Sequence, residues 1–377
     1  MKVNLITLHR VLNYGSVLQA YATYKALESI NVEKLELLDY YREKDYDDIR
    51  INHYGSYRTR NEHGLSKKCK SFLYDLMLKK SILKFYKVCD SFLRNNVNLS
   101  SQKYYSENDL LQNASVCDIV CVGSDQVWNN IHNEGIEWPF FLRFCDEGTR
   151  KISFSSSLGI ENPEKEYAEV LYSELKKFDK ISVREKQTQQ LLSSAGIESE
   201  FIIDPTLLHE KHEWKKMIRP RMIKEKYLLI YQFGNSKEIN RVAKKVSKEK
   251  GLKIVNIVFH PHQVIGRPGK KIVVPTVEEF LNLLYYSDFV ITNSFHGTAF
   301  SINFEKEFVV ILRKNFNIRM KSILETLDLE NRIYIKEHER EIINDTINYD
   351  LVRKELDNKR KDAINWLKEV FLNEENS

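Results

Sequence analysis

Several short stretches of this 377-residue chain place acid, base and anion-binding side chains directly after apolar runs. The sharpest runs from Asp288 to Ser301: Phe289–Ile291 leads into Asn293, Ser294, His296 and Gly297, and a helical pattern starts near Thr298. Free N–H groups and the dipole at such a helix start attract anions. Gly297 admits close backbone approach, and Ser294 and Thr298 add hydroxyl donors. An imidazole such as His296 titrates near neutrality, which suits it to hold a phosphate or move a proton. A capped helix with a hydrogen-bonded histidine is the plainer alternative. The concentration of polar groups at one strand end favours a site.

Arg184, in Ser182-Val183-Arg184-Glu185, also follows an apolar run and could clamp a carboxylate or phosphate with paired N–H bonds. An Arg184–Glu185 pair capping the next helix explains it equally well. The stretch Gly123-Ser124-Asp125-Gln126-Val127-Trp128-Asn129 offers Asp125 as acid, base or acceptor of a sugar hydroxyl, and Trp128 as a platform for a sugar face. Its alternative is a Gly-Ser turn with Asp125 as N-cap and Trp128 in the core. Asn13-Tyr14-Gly15-Ser16, with Gln19 on the following helix, occupies the first crossover but lacks G-x-G-x-x-G, so no dinucleotide site is indicated. Asp204-Pro205-Thr206 reads as a turn. Arg313, Lys314 and Arg319 suit an anionic ligand, with a solvated basic loop as the alternative. The absence of H-E-x-x-H, G-x-x-x-x-G-K-[ST] and G-x-S-x-G removes support for metal hydrolysis, P-loop chemistry and the common serine-hydrolase arrangement.

These residues need strand ends to carry them. Apolar runs at 3–8, 35–38, 118–122, 151–154, 180–183 and 201–203 predict one series of strands, and runs at 227–233, 253–258, 272–274, 289–292 and 308–311 a second. Helical spacing falls between several of them, at 17–29, 236–250 and 277–286. Strands alternating with helices predict parallel α/β sheets, here two Rossmann-like domains facing across a cleft. Ligands in such sheets sit beyond the carboxyl ends of the strands. The predicted division is a first domain over 1–210 with an insertion at about 40–115, a charged linker at 211–225, a second domain over 226–345 and a C-terminal helix within 346–377. Asn13-Tyr14-Gly15-Ser16 is expected to be a turn, and 40–65 an insertion loop.

Composition narrows the class. Hydrophobic residues make up 42% and charged residues 29%, as in a soluble protein with a core. No apolar run approaches the ~18 residues of a membrane span, and the six uncharged residues of Val3–Leu8 are too few for a signal-peptide core. The five cysteines form no C-x-x-C pair, so a reducing, cytoplasmic setting is expected. Net charge is +5, but Ser66–Arg94 alone carries eight Lys and Arg against Asp75 and Asp90, leaving the remainder at −1. A nucleic-acid binder would spread its basic residues more widely. The Ser66–Arg94 segment interleaves its lysines with Phe72, Leu73, Leu76, Met77, Leu83, Phe85 and Tyr86. It reads as a helix docked on its own domain, or as a peripheral contact with an anionic membrane.

In their order and spacing, Asn13-Tyr14-Gly15, Gly123 to Asn129, Ser182 to Glu185, Asp204-Pro205-Thr206 and Ser294-Phe295-His296-Gly297-Thr298 resemble the polysaccharide pyruvyl transferases. The resemblance implies a GT-B-like pair of domains, with the C-terminal helix packing back on the N-terminal one. It implies transfer of pyruvyl from phosphoenolpyruvate, as co-substrate, to two hydroxyls of a free or lipid-linked saccharide. The product is a cyclic ketal, phosphate is released, and no metal or further cofactor is required. Donor contacts would then be Arg184, Ser294, His296, Gly297 and Thr298. Many relatives carry Arg-Leu-His where this chain has Ser294-Phe295-His296, so Arg313 or Arg319 is expected to replace the absent cation. His296 would move the donor's proton and Asp125 that of a hydroxyl. Asn13, Tyr14, Gly15, Gln19, Ser124, Asp125 and Trp128 would face the acceptor. A nucleotide-sugar glycosyltransferase and a non-catalytic saccharide-binding protein are the alternatives.

Overall fold

The computed structural model describes residues 1–43, 45, 65–260, 263–313 and 317–372, and of residues 65–77 the backbone alone. Lys314 and most of the loop expected at 40–65 lie outside the described residues. So do the side chains of Lys67, Lys68, Lys70, Phe72, Leu73, Leu76 and Met77.

Among the described residues, twelve strands form two parallel sheets. The first holds β1 (Lys2–Ile6), β2 (Lys34–Tyr40), β3 (Leu99–Tyr104), β4 (Ile119–Val122), β5 (Arg150–Ser156), β6 (Lys180–Val183) and β7 (Glu200–Phe201), in the order β3-β2-β1-β4-β5-β6-β7. The second holds β8 (Tyr227–Tyr231), β9 (Lys253–Val258), β10 (Lys270–Val273), β11 (Phe289–Thr292) and β12 (Glu307–Val310), in the order β10-β9-β8-β11-β12. Their central strands are largely apolar because helices cover both faces: β4, β8 and β11 are buried at every residue.

In each sheet the strand order reverses once, between β1 and β4 and between β8 and β11. Val3 pairs with both Leu35 and Ile119, and Thr292 with both Tyr231 and Val310. Crossovers leave in opposite directions at such a point and open a crevice beyond the strand ends. Helix α1 (Tyr14–Glu28) follows β1, and Gly123–Asn129 follows β4. Other helices that frame the site are α2 (Leu65–Asn96), α3 (Lys186–Ser194), α4 (Lys237–Lys250), α5 (Val277–Tyr285), α6 (Phe295–Asn303), α7 (Ile318–Thr326) and α8 (Tyr349–Leu372).

Three expectations change. The region at 40–115 is not wholly an insertion, because it delivers β3 to the edge of the first sheet. The turn expected at Asn13–Ser16 is the start of α1: Asn13 Oδ1 accepts the Gly15 N–H at 2.9 Å and caps the helix. The segment 211–225 contains the short helix Lys211–Lys215, whose Trp214 is buried and donates to Thr206 O at 3.2 Å.

An aromatic layer joins the two halves. Tyr14 stacks on Phe280 with centroids 4.6 Å apart, touches Phe85 of α2 at 4.7 Å, and donates its hydroxyl to Pro275 O. Helix α8 packs back on the first half: Trp366 stacks on Phe154 at 6.0 Å, and Arg150 donates to Val370 O at 2.6 Å. Arg360 of α8 bridges the halves, donating to Leu207 O at 2.8 Å and Asn303 Oδ1 at 3.2 Å.

Candidate active site

The second half presents its residues where β11 turns into α6. Ser294 caps that helix, its Oγ accepting the Gly297 N–H at 3.3 Å, while its own N–H donates to Thr292 Oγ1 at 3.0 Å. The Thr298 hydroxyl donates to Ser294 O at 3.0 Å. A Cβ on Gly297 would fall 2.3 Å from Thr292 Oγ1, so glycine here answers to packing inside the turn. Ser294, Gly297 and Thr298 therefore build the turn with the polar groups that were expected to hold a phosphate. What the turn presents is His296, which crosses to the first half. Its Nδ1 lies 2.0 Å from where a Cβ on Gly15 would stand, so Gly15 makes room for the imidazole at the start of α1. Its Nε2 is 3.9 Å from Asp204 Oδ2.

The first half answers with strand-end residues. Asp125, just beyond β4, holds a φ of 76°, a left-handed conformation that costs a non-glycine residue energy and is stabilised here by its contacts. Its Oδ2 accepts from the Ser16 hydroxyl at 2.7 Å, and its Oδ1 accepts from Gln126 N–H at 3.0 Å and Arg184 Nη2 at 3.1 Å. Arg184, beyond β6, also donates through Nη1 to Ser124 Oγ at 3.1 Å and to Asp204 Oδ2. Its Nε stands 3.6 Å from Glu185 Oε1. Thr206 fixes Asp204 from the other side, donating N–H and hydroxyl to Oδ1 at 3.0 and 2.6 Å. From the second half, Arg319 of α7 reaches Asp125 Oδ1 at 3.4 Å, and both guanidinium groups lie over the Phe295 ring, Arg184 at 4.7 Å and Arg319 at 5.5 Å.

Two arginines thus face three carboxylates, those of Asp125, Asp204 and Glu185, giving a formal charge of −1 with His296 neutral. Burial, with Arg184 and Arg319 nearby, pushes the imidazole down to about 4 against the pull of Asp204 and Asp125. Burial also lowers Arg319 to about 10, helped by Arg184. At Asp125 burial acts upward, but Arg184, His296 and Arg319 override it and hold the carboxyl well below the usual range. So firmly held a carboxylate is a poor base for a sugar hydroxyl, contrary to the role expected for Asp125. Within this cluster, three buried nitrogens lack a hydrogen bond to a described residue: His296 Nε2, Arg184 Nε and Arg319 Nε. Unmet buried donors in a charged cluster mark a place where an acceptor-rich anion would fit.

The other expected residues separate. Arg313 is exposed, its backbone N–H donating to Asn317 Oδ1 at 3.1 Å, so Arg319 is the one that joins the cluster. Trp128 is buried in the core, donating to Phe140 O at 3.0 Å, and has no free face for a sugar. Tyr14 belongs to the aromatic layer. Gln19 is buried, donating to Leu8 O and Ser16 O at 3.2 and 3.0 Å. Asn13 receives the Tyr231 hydroxyl at 3.4 Å besides capping α1. Gly15 and Ser124 stand at the cluster. Asp204, read from the sequence as a turn residue, does cap the short helix Pro205–Leu208, yet its second oxygen sits between Arg184 and His296. Its one sequence signal was its position directly after an apolar run, shared with Asp125 and Arg184.

No curated protein matches the sequence. Among solved structures, the chain is similar in fold to the S. aureus MnaA–UDP co-structure, at a TM-score of 0.53 and 12% identity over 98% of this chain and 97% of that one. It is similar also to a crystal structure of UDP-N-acetylglucosamine 2-epimerase, at a TM-score of 0.54 and 10% identity over 100% and 98%. Identities this low speak to the fold alone, a GT-B-like pair of parallel α/β sheets. A family model described as polysaccharide pyruvyl transferase matches residues 13–315, from the cap of α1 past the β11–α6 turn that carries His296. The chain belongs to the polysaccharide pyruvyl transferase family.

Proposed function

We propose that the chain transfers pyruvyl from phosphoenolpyruvate to two hydroxyls of a saccharide, forming a cyclic ketal on a cell-surface polysaccharide or its lipid-linked precursor. The observation that carries this reading is the set of three unmet nitrogens on His296, Arg184 and Arg319, contributed from both halves. Phosphoenolpyruvate carries a phosphate and a carboxylate, which together need such converging donors. The second half, with His296 and Arg319, takes the donor side in this reading, and the first half the acceptor side. The described cysteines are free, in keeping with a reducing cytoplasm, at the inner membrane face where the acceptor is lipid-linked. Among the described residues no helix is long and apolar enough to cross a membrane.

The donor anion enters a cluster of formal charge −1, so its arrival raises the proton affinity of His296. The imidazolium formed is the acid. The imidazolium gives its proton to the methylene carbon of phosphoenolpyruvate, the first sugar oxygen bonds to the carbon bearing the phosphate, and that hydroxyl's proton passes to the imidazole left neutral. The C–O bond to phosphate then breaks, the second hydroxyl closes the ring, and its proton leaves with the phosphate. Arg184 and Arg319 hold the charge that develops on the departing group.

Melting temperature measured with phosphoenolpyruvate, UDP and GDP separately tests the donor. A ligand at 100 times its Kd adds ~2.7 kcal/mol to stability. A shift with phosphoenolpyruvate alone is expected. A shift with a nucleotide alone would move the assignment to glycosyl transfer. In turnover, His296→Asn is expected to lose at least ~100-fold, and near-full activity at saturating donor would remove His296 from the chemistry.

A further inference from the structure

Away from the charged cluster, a groove of about 1190 Å³ runs between α2 of the first half and the segments around β10 and α5 of the second. Its two walls differ in chemistry. On α2, Lys80, Lys84 and Lys87 recur at helical spacing, all exposed. Opposite them stand Val264, Ile265 and Val273, large apolar side chains left 37%, 79% and 42% exposed. Lys84 reaches across and donates to Val273 O at 2.9 Å. Lys80 and Lys87 form no ion pair among the described residues, and Glu278 is the acid on the lining.

A concave site lined by apolar groups and a few placed charges is built for a ligand, and this volume exceeds the usual range for small-molecule pockets. The lysines call for an anionic head. The apolar wall calls for a hydrocarbon tail, because clustered exposed apolar surface mostly marks a binding face. Position argues for one chain over a flat bilayer: the groove lies between two halves, where a lipid tail enters and a planar surface does not. We infer that this groove binds an anionic long-chain phosphate, its head on Lys80, Lys84 and Lys87 and its tail along Val264, Ile265 and Val273. The inference stands apart from the donor assignment. Its wall reaches the charged cluster through packing: Phe85 of α2 touches Tyr14, whose neighbour Gly15 makes room for His296.

Titration calorimetry of the full chain with dodecyl phosphate below its micelle concentration tests it, with dodecyltrimethylammonium and inorganic phosphate as comparison ligands. Dodecyl phosphate is expected to bind at least tenfold more tightly than either. The Lys80→Glu, Lys84→Glu, Lys87→Glu triple variant is expected to lose at least tenfold, and Ile265→Asp several-fold. These positions are on the surface, and melting temperature verifies that the variants fold. Equal binding of the cationic detergent, wild-type binding by the folded triple variant, or no binding of dodecyl phosphate would each overturn the proposal. Binding to phosphatidylglycerol vesicles without binding to monomeric dodecyl phosphate would overturn it in favour of a bilayer contact. No donor is present in any arm, so failure of the pyruvyl-transfer reading leaves these outcomes unchanged.

Discussion

Two buried arginine–carboxylate clusters stand at strand ends of this molecule, and they are built differently. The first lies wholly in the first half. Arg10 donates to Asp39 and, at 2.8 Å, to Asp90, while Arg94 donates to Asp90 at 2.9 Å and lies 3.7 Å from Asp39. Two cations meet two anions, and the groups without hydrogen bonds include the acceptor Asp39 Oδ2 as well as the nitrogens of His9 and Arg10. The second cluster takes Asp125, Arg184, Glu185 and Asp204 from one half and His296 and Arg319 from the other. It carries an excess anion, and its unmet atoms are all nitrogens. A balanced cluster within one half pins β1, β2 and α2 together. An unbalanced one shared between halves leaves one negative charge uncompensated where the halves meet, and a proton on His296 compensates it.

The central arginines test what the clusters share. Arg184→Ala leaves Asp125 and Asp204 buried without their main partner, and Arg10→Ala leaves Asp39 so while the part-exposed Asp90 keeps Arg94; stranding a buried carboxylate costs about 3–5 kcal/mol. Urea unfolding is expected to show losses of that size in both variants. A loss below ~1 kcal/mol for Arg184→Ala would mean that Asp125 and Asp204 are not both ionised, ending the charge count above. Inactivity of Arg184→Ala on its own says little about donor contact, because the variant loses the scaffold with the side chain.

A smaller effect separates the clusters by pH. With His296 lowered from an ordinary 6.5 to about 4, the unfolded chain binds more protons than the folded one between those values. Stability therefore falls as pH drops through that window, by up to about 3 kcal/mol. Asp125 and Asp204 are both lowered, so their contributions are present above the ordinary carboxylate value and are lost only at more acid pH. Unfolding free energy measured from pH 7 to 4 is expected to slope in the wild type and to flatten in His296→Asn. Equal slopes in the two proteins would assign the window to another group.

How far the sequence reached follows the same physics. Strands buried on both faces announce themselves by largely apolar runs, and β6, β9 and β11 lie where those runs placed them, residue for residue. Edge strand β3, Leu-Ser-Ser-Gln-Lys-Tyr, carries no such run, since only Ser100 and Tyr104 are buried in it. Asp125, Arg184, Arg319 and His296 were legible as polar groups beyond strand ends, the place where parallel sheets bind ligands. Their partition was not. Ser294, Gly297 and Thr298 are the residue types that bind a phosphate and equally the types that close a helix cap, and spacing alone cannot separate the two. Asp204 was hidden by Pro205, which announces a turn while the carboxylate's second oxygen answers to residues 20 and 92 positions away.

The smallest expected change in stability gives the sharpest contrast between the clusters. Arg319 makes one long contact to Asp125 at 3.4 Å, leaves Nε unmet, and is disfavoured as a cation by burial and by Arg184. Its charge is held at a cost that the resting protein does not recover, so Arg319→Met is expected to shift unfolding free energy by no more than about 1 kcal/mol. Arg94, the outer arginine of the balanced cluster, is 45% exposed, and Arg94→Met should move stability as little. The two variants part over the donor. The melting-temperature shift produced by phosphoenolpyruvate is expected to persist in Arg94→Met and to need at least tenfold more ligand in Arg319→Met. Loss of the shift in both would mean that a cation outside the shared cluster also governs the response to the donor. Persistence in both would take Arg319 out of the donor site and leave the place of the absent family arginine unfilled. A loss confined to Arg319→Met identifies the half-buried cation, held in the resting state by one long contact to Asp125, as the one kept for the substrate.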